Sequence, residues 1–297
     1  MIVPQNKKNL HTKIAELKLR DWINQIITHL AISYNLTNEF PSYTTESPFK
    51  RADLRQTPLN ILFMGDSVDR YMVEDYCNKH DSPSVIWSDK FVSYTHNNTD
   101  TCLIGLTRIG YIQVYGSNKL PPYLFNRVNT PEDLYAHTED RIPKGITEYV
   151  SKYGSPDYIF YRTELWDFLP RSLGPVDVKG ELRNATQRLE KFISNHEWAI
   201  SLIRSLVPTA YIGSHTVPNI KWGMHLFHHY ANSMRYISHK HGTFLYDWNL
   251  LLSSHQNYDY LRDNHHPSVP YSVSFTELVI QSLHAWKAAY NISHMHY

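Results

Sequence analysis

Apolar residues recur every three or four positions between residues 10 and 31, with charged and polar residues between them. This spacing predicts an amphipathic helix. Its apolar face comprises Leu10, Ile14, Leu17, Trp22, Ile23, Ile26, Ile27 and Leu30. We interpret it as a helix that packs on the flank of a domain, and the alternative is a helix that binds a membrane surface or a partner. Residues 36–58 contain three prolines and many small polar side chains, which predicts a connector.

From residue 59 onward, short apolar runs alternate with longer helical patterns. The runs predict strands at 59–64, 85–94, 102–115, 157–161, 210–213 and 243–246, of which 102–115 reads as one bent strand or two strands. The helical patterns lie at 68–79, 131–153, 185–206, 221–239 and 269–290. This alternation is typical of a parallel sheet covered by helices. We therefore predict a three-layer α/β/α fold for residues 59–297, with residues 1–58 as a helical extension.

Composition restricts the partners and the compartment only in part. The 297 residues suit one α/β domain with an extension, and a net charge of +1 gives no electrostatic reason to expect a nucleic-acid partner. No apolar run reaches about 18 residues, so no transmembrane segment is predicted, and the start of the chain lacks an apolar stretch of signal-peptide length. The cytoplasm is the default compartment, with the secretory lumen or the cell exterior as the alternative after N-terminal trimming. Cys77 and Cys102 form one disulfide in an exported protein or remain two buried thiols.

No pattern in the chain predicts a cofactor. His225, His228 and His229 share a helix face and could hold a metal ion, but no glutamate lies between them to act as the base of a metallopeptidase. An exposed helix face is the simpler interpretation of these histidines. Glycine-rich phosphate loops are also missing from the sequence, so nucleotide-dependent chemistry is not predicted.

Two short motifs near opposite ends of the chain supply the parts of a nucleophilic hydrolase. Gly65-Asp66-Ser67 directly follows the first predicted strand, and Asp263-Asn264-His265-His266-Pro267 lies 196 positions further on. A serine hydroxyl needs a base to remove its proton, and the base needs a third group to orient it. The spacing of Asp263 and His266 lets one turn present both side chains. The neighbouring His265 is a less suitable base because it does not stand three residues after an aspartate. We predict Ser67, His266 and Asp263 as a catalytic triad.

At these two motifs the chain resembles the SGNH, or GDSL-type, hydrolase superfamily. Residues 65–70, Gly-Asp-Ser-Val-Asp-Arg, and residues 165–167, Leu-Trp-Asp, are similar more particularly to the PC-esterase branch, which includes trichome-birefringence-like and sialate O-acetyltransferase-like proteins. The resemblance spans about residues 59–290. It implies a flavodoxin-like α/β/α sheet and the addition or removal of O-acetyl groups on glycans.

The sequence also suggests groups that would hold an oxyanion and a substrate. Ser67 lies at a predicted helix N-terminus, so its backbone amide is a natural oxyanion donor. Gly116 is the second candidate, with Gly110 or the amide of Asn118 as alternatives. The superfamily's third block ordinarily supplies an asparagine, but this chain has none there, and Arg162 or Thr163 stands nearest that role. We predict oxyanion stabilisation by Ser67, Gly116 and Arg162 and substrate contacts by Trp166 and Asn118, whereas Asp66, Asp69 and Arg70 are expected to be structural.

These observations predict a serine-dependent ester hydrolase or O-acyltransferase. Its substrate would be a small-molecule or glycan ester, most plausibly an O-acetyl ester, and the reaction would pass through an acyl-serine without a metal or cofactor. The alternative is a catalytically degenerate protein that binds a glycan or a protein partner, which the missing third-block asparagine favours. The oligomeric state is not encoded in any of these patterns.

Overall fold

The structure is organised around one six-stranded sheet. The computed structural model describes residues 17–25, 27–28, 58–80, 99–114, 138–163, 178–216, 224–251, 261–263 and 266–294. The strands are β1 (Leu59–Gly65), β2 (Thr99–Ile104), β3 (Thr107–Gln113), β4 (Tyr158–Tyr161), β5 (Tyr211–His215) and β6 (Phe244–Tyr246). Their order in the sheet is β2-β3-β1-β4-β5-β6. Neighbouring strands run parallel except for the β2–β3 pair, which is antiparallel.

Helices cover both faces of this sheet. They are α1 (residues 17–25 and 27–28), α2 (Ser67–Lys79), α3 (Thr138–Tyr153), α4 (Val178–Leu206), α5 (Met224–His241), α6 (Trp248–Leu251) and α7 (Val269–His294). Helices α2 and α7 pack together on one face, whereas α4 packs between α3 and α5 on the other. Strand β3 lies on one side of β1 in the sheet and β4 lies on the other, so the chain crosses the sheet in both directions. Right-handed crossovers therefore place the connecting helices on opposite faces.

The predicted three-layer α/β/α fold class is confirmed, and most strands lie within one or two residues of their predicted positions. Two strands, β2 and β3, stand where the region 102–115 was predicted, and β2 begins three residues earlier, at Thr99. They are joined by a tight turn in which Gly105 has a φ of 60°. Only a residue without a side chain adopts this conformation readily. The predicted strand 85–94 and residues 36–57 of the predicted connector 36–58 lie outside the described residues. The short helix α6 was not predicted.

Buried aromatic side chains fill the space beside the central strands. Phe63 of β1 stacks on Phe160 of β4 with ring centroids 4.7 Å apart, and Phe160 meets Phe244 of β6 edge-on at 5.2 Å. All three rings are fully buried. Since helices cover both faces of the sheet, both sides of β1 are buried, which explains why residues 61–64 are a continuous apolar run.

Helix α1 packs against the rest of the chain through its apolar face. Leu19, Ile23 and Ile27 are buried in the same hydrophobic core as the sheet. The indole of Trp22 lies 5.8 Å from that of Trp286 in α7. This packing agrees with the interpretation of a helix on the domain's flank. Within the described part of the chain, no helix has the length and apolarity needed to span a membrane.

A disulfide joins Cys77 near the end of α2 to Cys102 in β2, with the two Cα atoms 6.1 Å apart. Of the two states considered for these cysteines, the structure therefore contains the bonded one. The bond fixes the C-terminal part of α2 to the edge of the sheet. Ser67 is the first residue of the same helix, at its opposite end.

His196 makes the stability of the fold depend on pH. Its ring is buried in α4 against the rings of Tyr161 and Phe192. Burial, together with the positive charge of Arg162, lowers the pKa of His196 to about 3. The unfolded chain binds a proton at this histidine below about pH 6.5 while the folded chain does not, so acidification favours unfolding.

We therefore expect the free energy of unfolding to fall by about 2 kcal/mol between pH 7 and pH 5 on account of His196 alone. Urea denaturation of the wild type and of His196→Gln at both pH values measures this difference. The variant should lose less stability over this interval, whereas His228→Gln, which changes an exposed histidine on α5, should behave as the wild type does. An identical pH dependence in the wild type and His196→Gln would contradict the assignment.

Candidate active site

Ser67, His266 and Asp263 lie in one hydrogen-bonded line. Ser67 Oγ is 2.7 Å from Nε2 of His266, and Nδ1 of the same ring is 2.7 Å from Oδ2 of Asp263. The other carboxylate oxygen, Oδ1, accepts a 2.8 Å bond from the backbone amide of His266. The hydroxyl and the imidazole are 199 residues apart in sequence. The fold thus brings together the three side chains that the sequence singles out as a triad.

The Asp263 carboxylate determines which ring nitrogen of His266 carries the proton. An ionised carboxylate only accepts hydrogen bonds, so Nδ1 must donate to it. In the neutral ring this leaves the lone pair on Nε2, which accepts the bond from the Ser67 hydroxyl. The arrangement is therefore poised to move the hydroxyl proton to Nε2. The side chain of His266 is 12% exposed and that of Asp263 is 43% exposed, so the carboxylate end of the line faces solvent.

The turn between β1 and α2 places Ser67 at the first position of the helix. Asp66 is the N-cap residue, and its Oδ1 accepts a 2.9 Å bond from the amide of Val68. The first amides of a helix have no partner within the helix, and the helix dipole favours negative charge at this end. The backbone amide of Ser67 is therefore suited to donate to an oxyanion.

Gly65 is required at this turn by close packing. A Cβ atom on Gly65 would lie 2.1 Å from Oδ2 of Asp69, well inside van der Waals contact. The buried hydroxyl of Tyr111 lies 3.1 Å from the carbonyl oxygen of Gly65 and 3.0 Å from that of Asp66. Burial raises the pKa of Tyr111 well above its usual range, so this hydroxyl keeps its proton and donates. The backbone of the turn is thus packed against the Asp69 carboxylate and hydrogen-bonded to the Tyr111 hydroxyl.

A buried cluster of charged side chains lies directly behind the turn. Arg162, at the end of β4, donates from Nη2 to Asp66 Oδ1 at 2.5 Å and to Asp69 Oδ2 at 2.6 Å. His215, at the end of β5, places Nε2 2.8 Å from Asp69 Oδ1. All four side chains are fully buried. The cluster connects the ends of β1, β4 and β5 at the level of the nucleophile.

The two carboxyl groups of this cluster differ in their affinity for protons. Burial acts to raise the pKa of Asp69, but the charges of Arg162 and His215 outweigh it and lower the pKa to about 2. Burial raises the pKa of Asp66, and the neighbouring Asp69 adds to this rise, while Arg162 opposes it. Two carboxylates that share one guanidinium do not ionise with equal ease, and Asp69 is the one that holds its charge most firmly.

Of the residues predicted to hold an oxyanion or a substrate, some are described in the structure and others are not. Arg162 lies close behind the turn, and its described bonds go to Asp66 and Asp69 rather than to the mouth of the site; its predicted role toward an oxyanion stays a prediction. Thr163 is buried next to it. Gly116, Asn118 and Trp166 lie outside the described residues, so their roles also stay predictions.

Sequence reasoning missed the contribution of His215 and Tyr111. His215 is 146 residues from its partner Asp69, and no local pattern marks such a pair. Tyr111 lies in a strand whose residues are mostly buried, where a tyrosine is expected to be core. Asp69 was expected to be structural, and in the structure its carboxylate accepts bonds from Arg162 and contacts His215.

Among the residues that the structure describes, no group of three potential ligands is arranged to hold a metal ion. His228 and His229 are exposed on α5, and the side chain of His225 is outside the described part.

The comparisons with known proteins give distant structural similarities. No protein-family model matches the chain, and no curated protein matches it. Several solved structures are similar at low identity. A GDSL-like lipase from Parabacteroides merdae has 11% identity over 78% of this chain and 99% of its own, with a TM-score of 0.41. A lipase/acylhydrolase from Enterococcus faecalis has 12% identity over 76% and 96%, with a TM-score of 0.42. An acetylxylan esterase from Geobacillus stearothermophilus has 14% identity over 77% and 95%, with a TM-score of 0.41.

Replacing Arg162 should destabilise the protein strongly. Arg162→Met leaves Asp66 and Asp69 buried without their guanidinium, and breaking a buried ion pair in this way costs about 3–5 kcal/mol. Arg204→Met is the matched control, since Arg204 is a partly exposed arginine of α4 that donates to a backbone carbonyl. Urea denaturation at pH 7 measures both variants. A loss for Arg162→Met no larger than for the control would show that the cluster does not stabilise the turn.

Proposed function

We propose that the chain is a serine-dependent ester hydrolase or O-acyltransferase that acts on acyl, chiefly O-acetyl, esters of a carbohydrate or related small molecule. The observation that carries this proposal is the bonded line from Ser67 through His266 to Asp263, with 2.7 Å at each step. A serine hydroxyl on a structural turn has no need of an imidazole whose other nitrogen is fixed by a carboxylate.

The reaction begins with attack of Ser67 Oγ on the carbonyl carbon of the ester. As the new C–O bond forms, the hydroxyl proton moves to Nε2 of His266, and the resulting imidazolium is stabilised by Asp263. The electron pair displaced from the carbonyl resides on the former carbonyl oxygen. The Ser67 amide at the start of α2 donates to that oxyanion, with the amide of Gly116 and the Arg162 side chain as the further predicted donors.

Collapse of this tetrahedral intermediate breaks the bond to the leaving alcohol. His266 donates its Nε2 proton to the departing oxygen, so that the alcohol leaves neutral and Ser67 carries the acyl group. A second hydroxyl compound then gives its proton to His266 and attacks the acyl-serine. Collapse of this second tetrahedral intermediate breaks the bond between the acyl carbon and Ser67 Oγ, and His266 returns the proton to Oγ as the acyl product leaves. Water in this step makes the protein a hydrolase, and a sugar hydroxyl makes it an O-acyltransferase.

The choice of an acetyl group and of a carbohydrate rests on the resemblance of residues 65–70 and 165–167 to the PC-esterase branch. Trp166 and Asn118 are the predicted substrate contacts. Acetylated oligosaccharides, compared with esters of longer acids, test this choice through the ratio of their kcat/KM values.

Ser67→Ala should abolish ester turnover. Because the variant keeps the fold but has no nucleophile, we expect kcat toward p-nitrophenyl acetate to fall by at least about 10³-fold. Absorbance of the released nitrophenolate measures the rate. Ser201→Ala is a matched control, since the exposed hydroxyl of Ser201 donates to the carbonyl oxygen of Glu197 within α4 and its loss should leave the rate unchanged.

Equal rates for Ser67→Ala and the wild type would eliminate the serine mechanism. If neither protein turns over any ester while both bind acetylated glycans, the degenerate binding protein becomes the better description.

A further inference from the structure

Arg262 directly precedes the orienting carboxylate and bonds to the backbone of the proposed base and of the residue after it. Its backbone amide donates to the carbonyl oxygen of His266 at 2.9 Å, and its Nε donates to the carbonyl oxygen of Pro267 at 2.6 Å. Leu261 and Pro267 form an antiparallel bridge just outside these bonds. The same residue therefore links the chain just before Asp263 to the chain at His266 and Pro267.

The guanidinium of Arg262 also attaches this loop to α2. Its Nη2 donates to Oδ2 of Asp75, and its central carbon lies 4.2 Å from the ring centroid of Tyr71. The ring of Tyr71 in turn meets the imidazole of His266 edge-on, with centroids 4.8 Å apart. Arg262 thus holds the loop against an aromatic ring that itself supports the imidazole.

The spacing along α2 explains why one arginine can do this. Ser67, Tyr71 and Asp75 follow one another at intervals of four residues, so they lie on one face of the helix. The first position carries the proposed nucleophile, and the other two contact Arg262. The distance between the hydroxyl and the imidazole is then set by contacts made one and two turns further along the same helix.

The ion pair between Arg262 and Asp75 is partly buried, which strengthens it. The side chain of Asp75 is 8% exposed and that of Arg262 is 26% exposed, so solvent screens the pair less than it screens an ordinary surface pair. The loop it holds is more open, because Asp263 is 43% exposed.

We infer that Arg262 is a positioning residue that fixes the Asp263–His266 pair against α2 and so sets the approach of His266 Nε2 to Ser67 Oγ. This inference rests on the proposed function. Arg262 acts through His266 and does not need to touch the substrate. Its loss should therefore lower kcat far more than it changes KM.

Arg262→Gln tests the inference, since glutamine keeps some length but loses the charge and the forked donors. Small misplacements of a catalytic group cost up to about 100-fold in rate, so we expect kcat toward p-nitrophenyl acetate to fall about 10- to 100-fold, with KM changed less than about 3-fold. Arg262→Lys keeps the charge toward Asp75 but loses the simultaneous bond to Pro267, and it should give an intermediate kcat. Methylguanidinium added to Arg262→Ala should raise kcat at least about 3-fold.

Arg235→Gln is the matched control. Arg235 of α5 binds Asp247 through Nε at 2.5 Å and Nη2 at 3.1 Å, and this carboxylate is similarly buried at 10% exposure. The pair lies beside β6, three strands away from β1. Any general loss of stability should appear in this variant, but kcat below its melting temperature should stay within about 2-fold of the wild type.

A kcat for Arg262→Gln within 2-fold of the wild type would overturn the inference, as would an equal fall in the Arg235→Gln control. If the wild type hydrolyses no ester, the proposed function fails, and the positioning role is then read from NMR. The Nδ1 proton resonance of His266 should shift or broaden in Arg262→Gln and stay unchanged in Arg235→Gln. An unchanged resonance in both variants would overturn the positioning role even then.

Discussion

The guanidinium of Arg162 fixes the part of the structure on which the rest of the site depends. It is fully buried and binds two aspartates, one of which caps α2 while the other also meets His215. A charge removed from water in this way is tolerated only when carboxylates surround it, so the ends of β1, β4 and β5 are not free to move independently. The orientation of Ser67 at the head of α2 follows from this constraint.

The proposed base has a different kind of support. His266 and Asp263 reach the site from the far end of the chain on a turn that is partly open to solvent. Their support comes from α2 itself, through Tyr71 and Asp75. The same helix therefore presents the nucleophile and receives the loop that carries the base. The buried cluster around Arg162 thus fixes Ser67, and the face of α2 fixes His266. Both residues lie at the carboxyl end of β1, where open α/β sheets commonly place their sites.

The sequence predicted those features that local patterns encode. Short apolar runs located β1, β4, β5 and β6, and helical apolar spacing located the long helices. The motifs around Ser67 and His266 located the candidate site. The choice between a bent strand and a hairpin at 102–115 was left open, because both have the same apolar pattern and only the backbone at Gly105 distinguishes them. The pairing of Asp69 with His215 could not be predicted, since it depends on how β1 and β5 are arranged in the sheet. Likewise, the support that Arg262 gives arises from a contact across 187 residues.

The most direct test of an activated serine is labelling with a fluorophosphonate, which reacts only with a hydroxyl whose proton a neighbouring base can remove. Intact-mass measurement and peptide mapping after exposure to the probe should show one label per chain, on Ser67, in the wild type and none in His266→Gln. A wild-type protein that remains unlabelled, or a label on Ser67 that forms as fast in His266→Gln, would show that this imidazole does not activate this hydroxyl.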